Sequence, residues 1–405
     1  MKTISRCIAI VVFFFSCNKN PGTEEVLKKS FEKCQSVTNG YYEMDYYIKY
    51  MSKKDTTFLK YKFYFDKSKG DSIFPAAFRY REFKEGKYQR DVLYTGDALL
   101  TYSEKDSTGT IMEKKRWAED LMAYRHNYRK FYSPLMDDDS WPLPSDSAFV
   151  DDSYTFEWIG TETLNGVPSY HVKMNIDHED DENEKFKTLS AEYHFWISEK
   201  DYLPLQYTIE YELLVNNRDT MTQYQRIMLT EYQFNRLEND SVLKKSSVPP
   251  FVKLEEYEPY EAPDPLPIDT IAPQWTLISL KGDTLSLSDF KGKVVLLDFF
   301  YKSCMPCVWA LPALQSLHEK YSDKGLVVLG INPFDTKEDD IEGFLKKQGV
   351  TYTVFLNGEN IAEKYRVSGY PTMYLIDKKG KILHVQTGYG EGVEQKLEKI
   401  IKENL

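Results

Sequence analysis

Residues 294–321 read VVLLDFFYKSCMPCVWALPALQSLHEKY, and the periodicity changes in mid-course. The run from Val294 to Tyr301, interrupted only by Asp298, has the near-continuous apolar character of a strand buried on both faces. After Cys304, the positions Val308, Leu311, Leu314, Leu317 and Tyr321 recur three or four residues apart, which predicts a helix. Ser303, a good N-cap residue, stands at the junction. Pro306 falls in the first turn, where its missing N–H costs nothing, whereas Pro312 should kink the helix. A Cys-x-x-Cys pair at such a step sets its first sulfur against the unpaired N–H groups and positive dipole end of the helix, which favours a Cys304 thiolate. Lys302 adds positive charge nearby. Cys307, three residues on, lies one turn inward, within bonding reach of Cys304 and shielded from solvent. The expected roles are Cys304 as attacker and Cys307 as resolver.

Downstream, Leu326 to Ile331 reads as the next buried strand and about Glu338 to Gln348 as the next helix. Met373 to Ile376 and Lys381 to Val385 form a hairpin, and Gly392 to Leu405 a closing helix. The alternation predicts an α/β domain over 270–405, a central mixed sheet flanked by helices. Four segments carry a family likeness: Ala272-Pro273-Gln274-Trp275, residues 285–293 leading into the central strand, Cys304-Met305-Pro306-Cys307, and Val367-Ser368-Gly369-Tyr370-Pro371-Thr372. Together they resemble thioredoxin-fold proteins, in detail the TlpA-like envelope thiol-disulfide oxidoreductases.

That resemblance implies a cis peptide bond at Pro371 and substrate docking by Tyr370, Pro371, Met305 and Pro306, with the Tyr370 backbone pairing to an extended substrate segment. Asp298, six residues before Cys304, resembles the buried acid of thioredoxins rather than the polar residue common in TlpA-like proteins, which implies a carboxylate able to take and return the Cys307 proton; the alternative is a strand-end Asp bonded to backbone. Ser303 departs from the usual Trp before the first cysteine, and Ala310 from a frequent Glu. Asn332 to Phe355 resembles the family's central insertion. No cofactor is implied. Disulfide-containing envelope proteins are the implied substrates, and a membrane electron-donor protein the implied source of electrons.

Seven prolines among residues 249–273, interleaved with acids, make a stiff extended spacer, so 249–269 is the expected linker. Before it, residues 24–248 carry short runs rich in Tyr, Phe and Thr broken by turn residues, and the chain's 31 tyrosines favour a large antiparallel sheet. A helical interval is expected between Glu113 and Phe131, where Trp117, Leu121, Tyr124 and Tyr128 recur at helical spacing. Residues 160–166 leading to Tyr170-His171-Val172, then 193–197 and 202–205, resemble LolA-like lipoprotein carriers, which implies a half-barrel around an apolar cavity.

At the start, Lys2 and Arg6 precede an apolar run from Cys7 to Phe15, a signal-peptide layout over 1–16 and too short to cross a bilayer. Residues 14–17 resemble a loose lipobox, so Cys17 is the expected lipid anchor, with 17–23 as a tether. The expected location is the bacterial cell envelope, facing the periplasm. Of five cysteines the mature chain would keep Cys34, Cys304 and Cys307, which is no disulfide framework, and one close pair in an exported chain points to redox chemistry. Cys34, at helical spacing from Leu27 and Phe31, reads as a buried hydrophobe.

The formal charge of −11 argues against nucleic acid. The acidic stretches 137–139 and 177–184 read as solvated loops. No second Cys or His pair completes a metal site with Cys304 and Cys307, so no metal is expected. Two other functions compete with the oxidoreductase. A peroxiredoxin-like thiol peroxidase needs Thr or Ser three residues before the attacking cysteine, where Tyr301 stands. An apolar-ligand-binding lipoprotein would make the redox domain accessory.

Overall fold

The computed structural model describes residues 21–51, 55–136, 142–177, 185–237 and 239–405. The expected signal peptide, Cys17 and most of both acidic stretches lie outside them. Among the described residues no helix is long and apolar enough to cross a membrane.

The N-terminal domain opens with α1 (Thr23–Gln35), then β1 (Asn39–Lys49), β2 (Thr57–Asp66), β3 (Ala77–Lys84), β4 (Lys87–Tyr94), β5 (Ala98–Ser103) and β6 (Thr108–Glu113). After α2 (Lys114–Tyr124) and α3 (Ser133–Met136) come β7 (Tyr154–Leu164), β8 (Val167–Ile176), β9 (Phe186–Ser198), β10 (Pro204–Val215), β11 (Asp219–Phe234) and the short β12 (Lys253–Glu256). They form one twelve-stranded sheet in the order β12-β6-β5-β4-β3-β2-β1-β11-β10-β9-β8-β7. Every pairing is antiparallel except β12 on β6. The sheet thus runs into the proline-rich stretch, and the extended spacer begins only after β12.

Alternation of side chains explains the tyrosines. Tyr61, Phe63 and Phe65 of β2 all point inward, and Phe63 stacks on Tyr42 (4.9 Å between centroids) and Tyr80 (5.5 Å). Val26, Leu27 and Cys34 of α1, with Phe131, Tyr132, Leu135 and Met136, pack into the same core. The face on which a half-barrel would hold an apolar ligand is therefore filled by the protein's own side chains. Tyr132 fastens this cover: its N–H donates to Tyr42 Oη (3.0 Å) and its own hydroxyl donates to the Pro204 carbonyl (2.7 Å).

The C-terminal domain carries a small ribbon, β13 (Thr276–Ile278) with β14 (Thr284–Ser286), before its main elements. These are β15 (Val294–Phe299), α4 (Met305–Tyr321), β16 (Leu326–Ile331), α5 (Ile341–Lys347), β17 (Thr353–Phe355), α6 (Glu359–Lys364), β18 (Thr372–Ile376), β19 (Ile382–Thr387) and α7 (Val393–Asn404). The five-stranded sheet has the order β17-β16-β15-β18-β19, parallel through β17, β16 and β15 and antiparallel at β18 and β19. The predicted central mixed sheet with flanking helices is present. The helix expected from Glu338 starts at Ile341, because Thr336 and Asp339 cap a 3-10 turn and Asp340 takes a left-handed conformation before α5.

β15 sits at the centre, and its side chains divide between two cores. Val295, Leu297 and Phe299 join Trp275 and Tyr365 on one face, while Val294 and Leu296 join Cys307, Leu311 and Leu314 of α4 on the other. Period-two alternation then sends Asp298 toward the α4 face. Val215 and Met221, from the ends of β10 and β11, are buried in the same α4-side core.

Replacing Tyr132 by Phe should lower the unfolding free energy by about 1–2 kcal/mol, because the Pro204 carbonyl loses its buried donor. Urea denaturation of the two proteins checks this.

Candidate active site

At the end of β15 the backbone turns into α4 through Tyr301, Lys302 and Ser303. The Cys304 N–H donates to the Tyr301 carbonyl (3.1 Å), and Val308 N–H to the Cys304 carbonyl (3.0 Å). Cys304, not Ser303, is the N-cap: it is extended at φ −88° and ψ 98°, and its Sγ accepts from the Cys307 N–H at 3.2 Å. A sulfur here takes the part that a hydroxyl plays at an ordinary helix start, and this displaces the sequence-based assignment of Ser303. Pro306 lies in the first turn as expected, and Pro312 lies inside the helix.

Cys304 and Cys307 are joined, with S–S 2.10 Å and Cα–Cα 5.2 Å. Cys304 keeps 6% of its surface in contact with solvent and Cys307 none. Of the two residues, only Cys304 retains any exposed surface. Cys34, the remaining described cysteine, is buried in the N-terminal core, where burial pushes its thiol up. Lys302 is drawn elsewhere: its ammonium donates to the Asp339 carbonyl (2.7 Å) and its N–H to Asp335 Oδ2 (2.6 Å). The segment after β16 therefore grips Lys302, two residues before the motif.

Asp298 is wholly buried, and neither carboxyl oxygen has a hydrogen-bond partner. Burial pushes its carboxyl up to about 8. The strand-end reading with backbone hydrogen bonds is not what the structure shows. Its ladder partner on β16 is Gly330, and a Cβ there would meet Tyr352 Cε2 at 3.5 Å. The buried Tyr352 phenol is itself held above its usual range, by burial first and by the Asp298 charge second. Ala310, where a second acid is frequent in the resembling family, is buried among apolar side chains.

The Tyr370–Pro371 bond is cis. β18 begins at Thr372, paired with Phe299 at the end of β15, so this loop and the Cys304 turn leave the sheet side by side. Tyr301, Phe334 and Tyr370 form a three-ring cluster with centroids 5.2–5.3 Å apart. Phe334 is 55% exposed, so the cluster presents an aromatic face to solvent. Sequence reading missed Phe334, because a Phe in a loop carries no periodic signal. It also missed the N-terminal domain's approach. Phe186 stacks on Trp309 (6.1 Å), and the Lys185 ammonium lies over both Trp309 (5.6 Å) and Tyr389 (5.0 Å).

A family model described as the AhpC/TSA family matches residues 268–385. The thioredoxin-like protein YneN of Bacillus subtilis is 35% identical over 130 residues, covering 31% of this chain and 76% of the relative. The thiol-disulfide oxidoreductase ResA of Bacillus thuringiensis is 35% identical over 134 residues, 32% of this chain and 75% of the relative. The chain belongs, through this domain, to the thioredoxin-fold thiol-disulfide oxidoreductases of the AhpC/TSA family. Among solved structures, a putative thiol:disulfide interchange protein DsbE from Chlorobium tepidum is 33% identical and covers 34% of this oxidoreductase and 98% of its own chain, with a TM-score of 0.33. Each of these matches lies within about a third of the oxidoreductase's length.

Asp298 couples the redox core to pH. Its carboxyl ionises near pH ~4 when unfolded and about 8 when folded, so between those values the folded chain holds the extra proton and stability falls as pH rises. With the disulfide intact, Asp298→Asn should match the parent near pH ~4 and exceed it by roughly 2–4 kcal/mol at pH ~7. Urea titrations across that range measure the difference.

Proposed function

We propose that this oxidoreductase works as a protein disulfide reductase of the cell envelope, with Cys304 as nucleophile, Cys307 as resolving thiol and Asp298 as the proton store between them. The observation that carries it is the joined Cys304–Cys307 pair at the N-terminus of α4, with only Cys304 open to solvent. In the reduced form the Cys304 thiolate attacks one sulfur of a substrate disulfide. A Cys304–substrate bond forms, the substrate S–S bond breaks, and the departing sulfur takes a proton. In the molecules whose Asp298 has lost its proton to solvent, Cys307 gives its proton to that carboxylate and attacks the Cys304 sulfur, while the proton taken by the departing sulfur comes from solvent. The second substrate sulfur leaves as a thiolate, and two electrons have passed to the substrate. A carboxyl poised near 8 in a dry site is matched to a thiol's own range, which makes the transfer nearly balanced.

The cis-Pro371 loop lies beside the cysteine turn, and Tyr370, Pro371, Met305 and Pro306 form the docking face together with the Phe334 ring. Re-reduction of the pair draws on an external dithiol protein, in keeping with the TlpA-like resemblance. The charged and apolar layout of residues 2–17 supports export and a lipid anchor at Cys17. Tyr301, where a peroxidase needs Thr or Ser, and relatives named as thiol-disulfide oxidoreductases both favour disulfide exchange over peroxide reduction. A carrier role for the N-terminal domain is not favoured, since its core face is occupied by α1 and α3.

Cys307→Ala should accumulate mixed disulfides with envelope proteins on non-reducing gels, and Cys304→Ser should form none. If Cys307→Ala traps nothing, and the parent fails to reduce insulin with dithiothreitol, the reading is wrong. Phe334→Ser should raise KM for insulin about fivefold, the equivalent of about 1 kcal/mol of aromatic contact, with kcat within about twofold.

A further inference from the structure

The i to i+4 ladder of α4 has a gap. The Val308 carbonyl would ordinarily accept from the amide of residue 312, and Pro312 has none. That carbonyl sits one residue beyond Cys307, and its own N–H is bonded to the Cys304 carbonyl. The vacant acceptor is filled from the other domain. Asn216, in the tight turn between β10 and β11, donates one amide hydrogen to the Val308 carbonyl (2.9 Å) and the other to Gln348 Oε1 (2.8 Å).

The surroundings hold the turn in that position. Asn216 and Asn217 both have φ of 52°, a geometry that Asn tolerates well, and the Asn216 N–H donates to the Lys185 carbonyl (2.8 Å). Arg218 Nη1 donates to the Gln348 carbonyl (2.8 Å), and Asp219 pairs with Lys347 (3.1 Å). Gly349 takes φ 73°, a left-handed conformation that glycine adopts without strain, and its Cα lies against the Arg218 guanidinium. The first turn of the redox helix is thus tied to the N-terminal sheet through a carbonyl that a proline left open.

We propose that Asn216 is a positioning residue for the redox pair, and that through it the N-terminal domain sets the balance between disulfide and dithiol. The inference rests on the reductase reading for its meaning. In the oxidised form the S–S bond already fixes Cys304 against Cys307, so the tie at Val308 adds little order to the first turn. In the reduced form that constraint is gone, and the tie is what keeps the Cys307 N–H and its neighbours aimed at the Cys304 sulfur. Losing Asn216 therefore weakens the dithiol form more than the disulfide form.

The test uses the purified full chain equilibrated with reduced and oxidised glutathione. Asn216→Gly tolerates the turn conformation and deletes both side-chain donations, to the Val308 carbonyl and to Gln348 Oε1, of which only the first answers to Pro312. It should move the exchange equilibrium at least twofold toward the disulfide, and should raise the pH midpoint for alkylation of Cys304 by iodoacetamide. In a Pro312→Ala background the helix supplies its own amide to Val308, so the same substitution should act by a smaller factor. A change below twofold, a change toward the dithiol, or an equal or larger factor in the Pro312→Ala background overturns the proposal. A misfolded variant would lose the background dependence and count against it. The equilibrium requires no physiological substrate, whereas failure of the reductase reading appears as missing mixed disulfides with Cys307→Ala, so the two failures are told apart.

Discussion

A sulfur standing where a helix wants an acceptor is the constraint from which the active centre follows. The Cys307 amide has no partner within its own helix, as for every residue of a first turn, and it turns to Cys304 Sγ. That contact sets Cys304 at the rim and Cys307 one turn deeper, and it offers a thiolate stabilisation that an interior position would withhold. β15 must therefore end where it does, in the middle of the sheet, with its last residues paired on one side to β16 and on the other to β18. The cis-Pro loop leaves the sheet beside the Cys304 turn because it precedes the strand paired with that same edge.

The same strand sets the chemistry on the dry side. Alternation along β15 sends five apolar side chains into two cores and leaves Asp298 among hydrophobic neighbours with no donor to satisfy it. A group in that condition is held neutral by its desolvation cost, and the fold bears that cost at neutral pH. Such an arrangement is hard to explain as a device for stability. It is consistent with a group whose use depends on being easily charged and discharged.

Much of the C-terminal domain was legible in the sequence because its elements are buried on both sides and their periodicity is undiluted. The strand at 326–331, the helix after Cys304 and the hairpin across residues 377–380 fall where the pattern put them. Ser303 misled because capping preferences describe hydroxyl and carboxylate side chains, and a neighbouring sulfur took the amide instead. Phe334 and Asn216 were invisible for a different reason. Each acts through residues distant in the chain, and a single Phe in a loop or an Asn-Asn turn signals only local geometry. The N-terminal sheet could be anticipated from its tyrosines, but the half-barrel cavity could not be judged, since whether α1 and α3 fill a curved face is a matter of packing that strand patterns do not encode.

The extended spacer is pinned at each end. Tyr257 donates its N–H to Ile111 and packs edge-on against Trp117, while the Leu266 N–H donates to Tyr374 Oη. Only residues 258–265 span between those moorings, a strap of roughly 25 Å at about 3.1 Å per residue. Two domains leashed so briefly meet one another at a local concentration on the order of millimolar. An intramolecular contact far too feeble to survive between separate molecules would therefore be occupied most of the time, so the seam between the domains can be tuned for fit and quick release instead of grip.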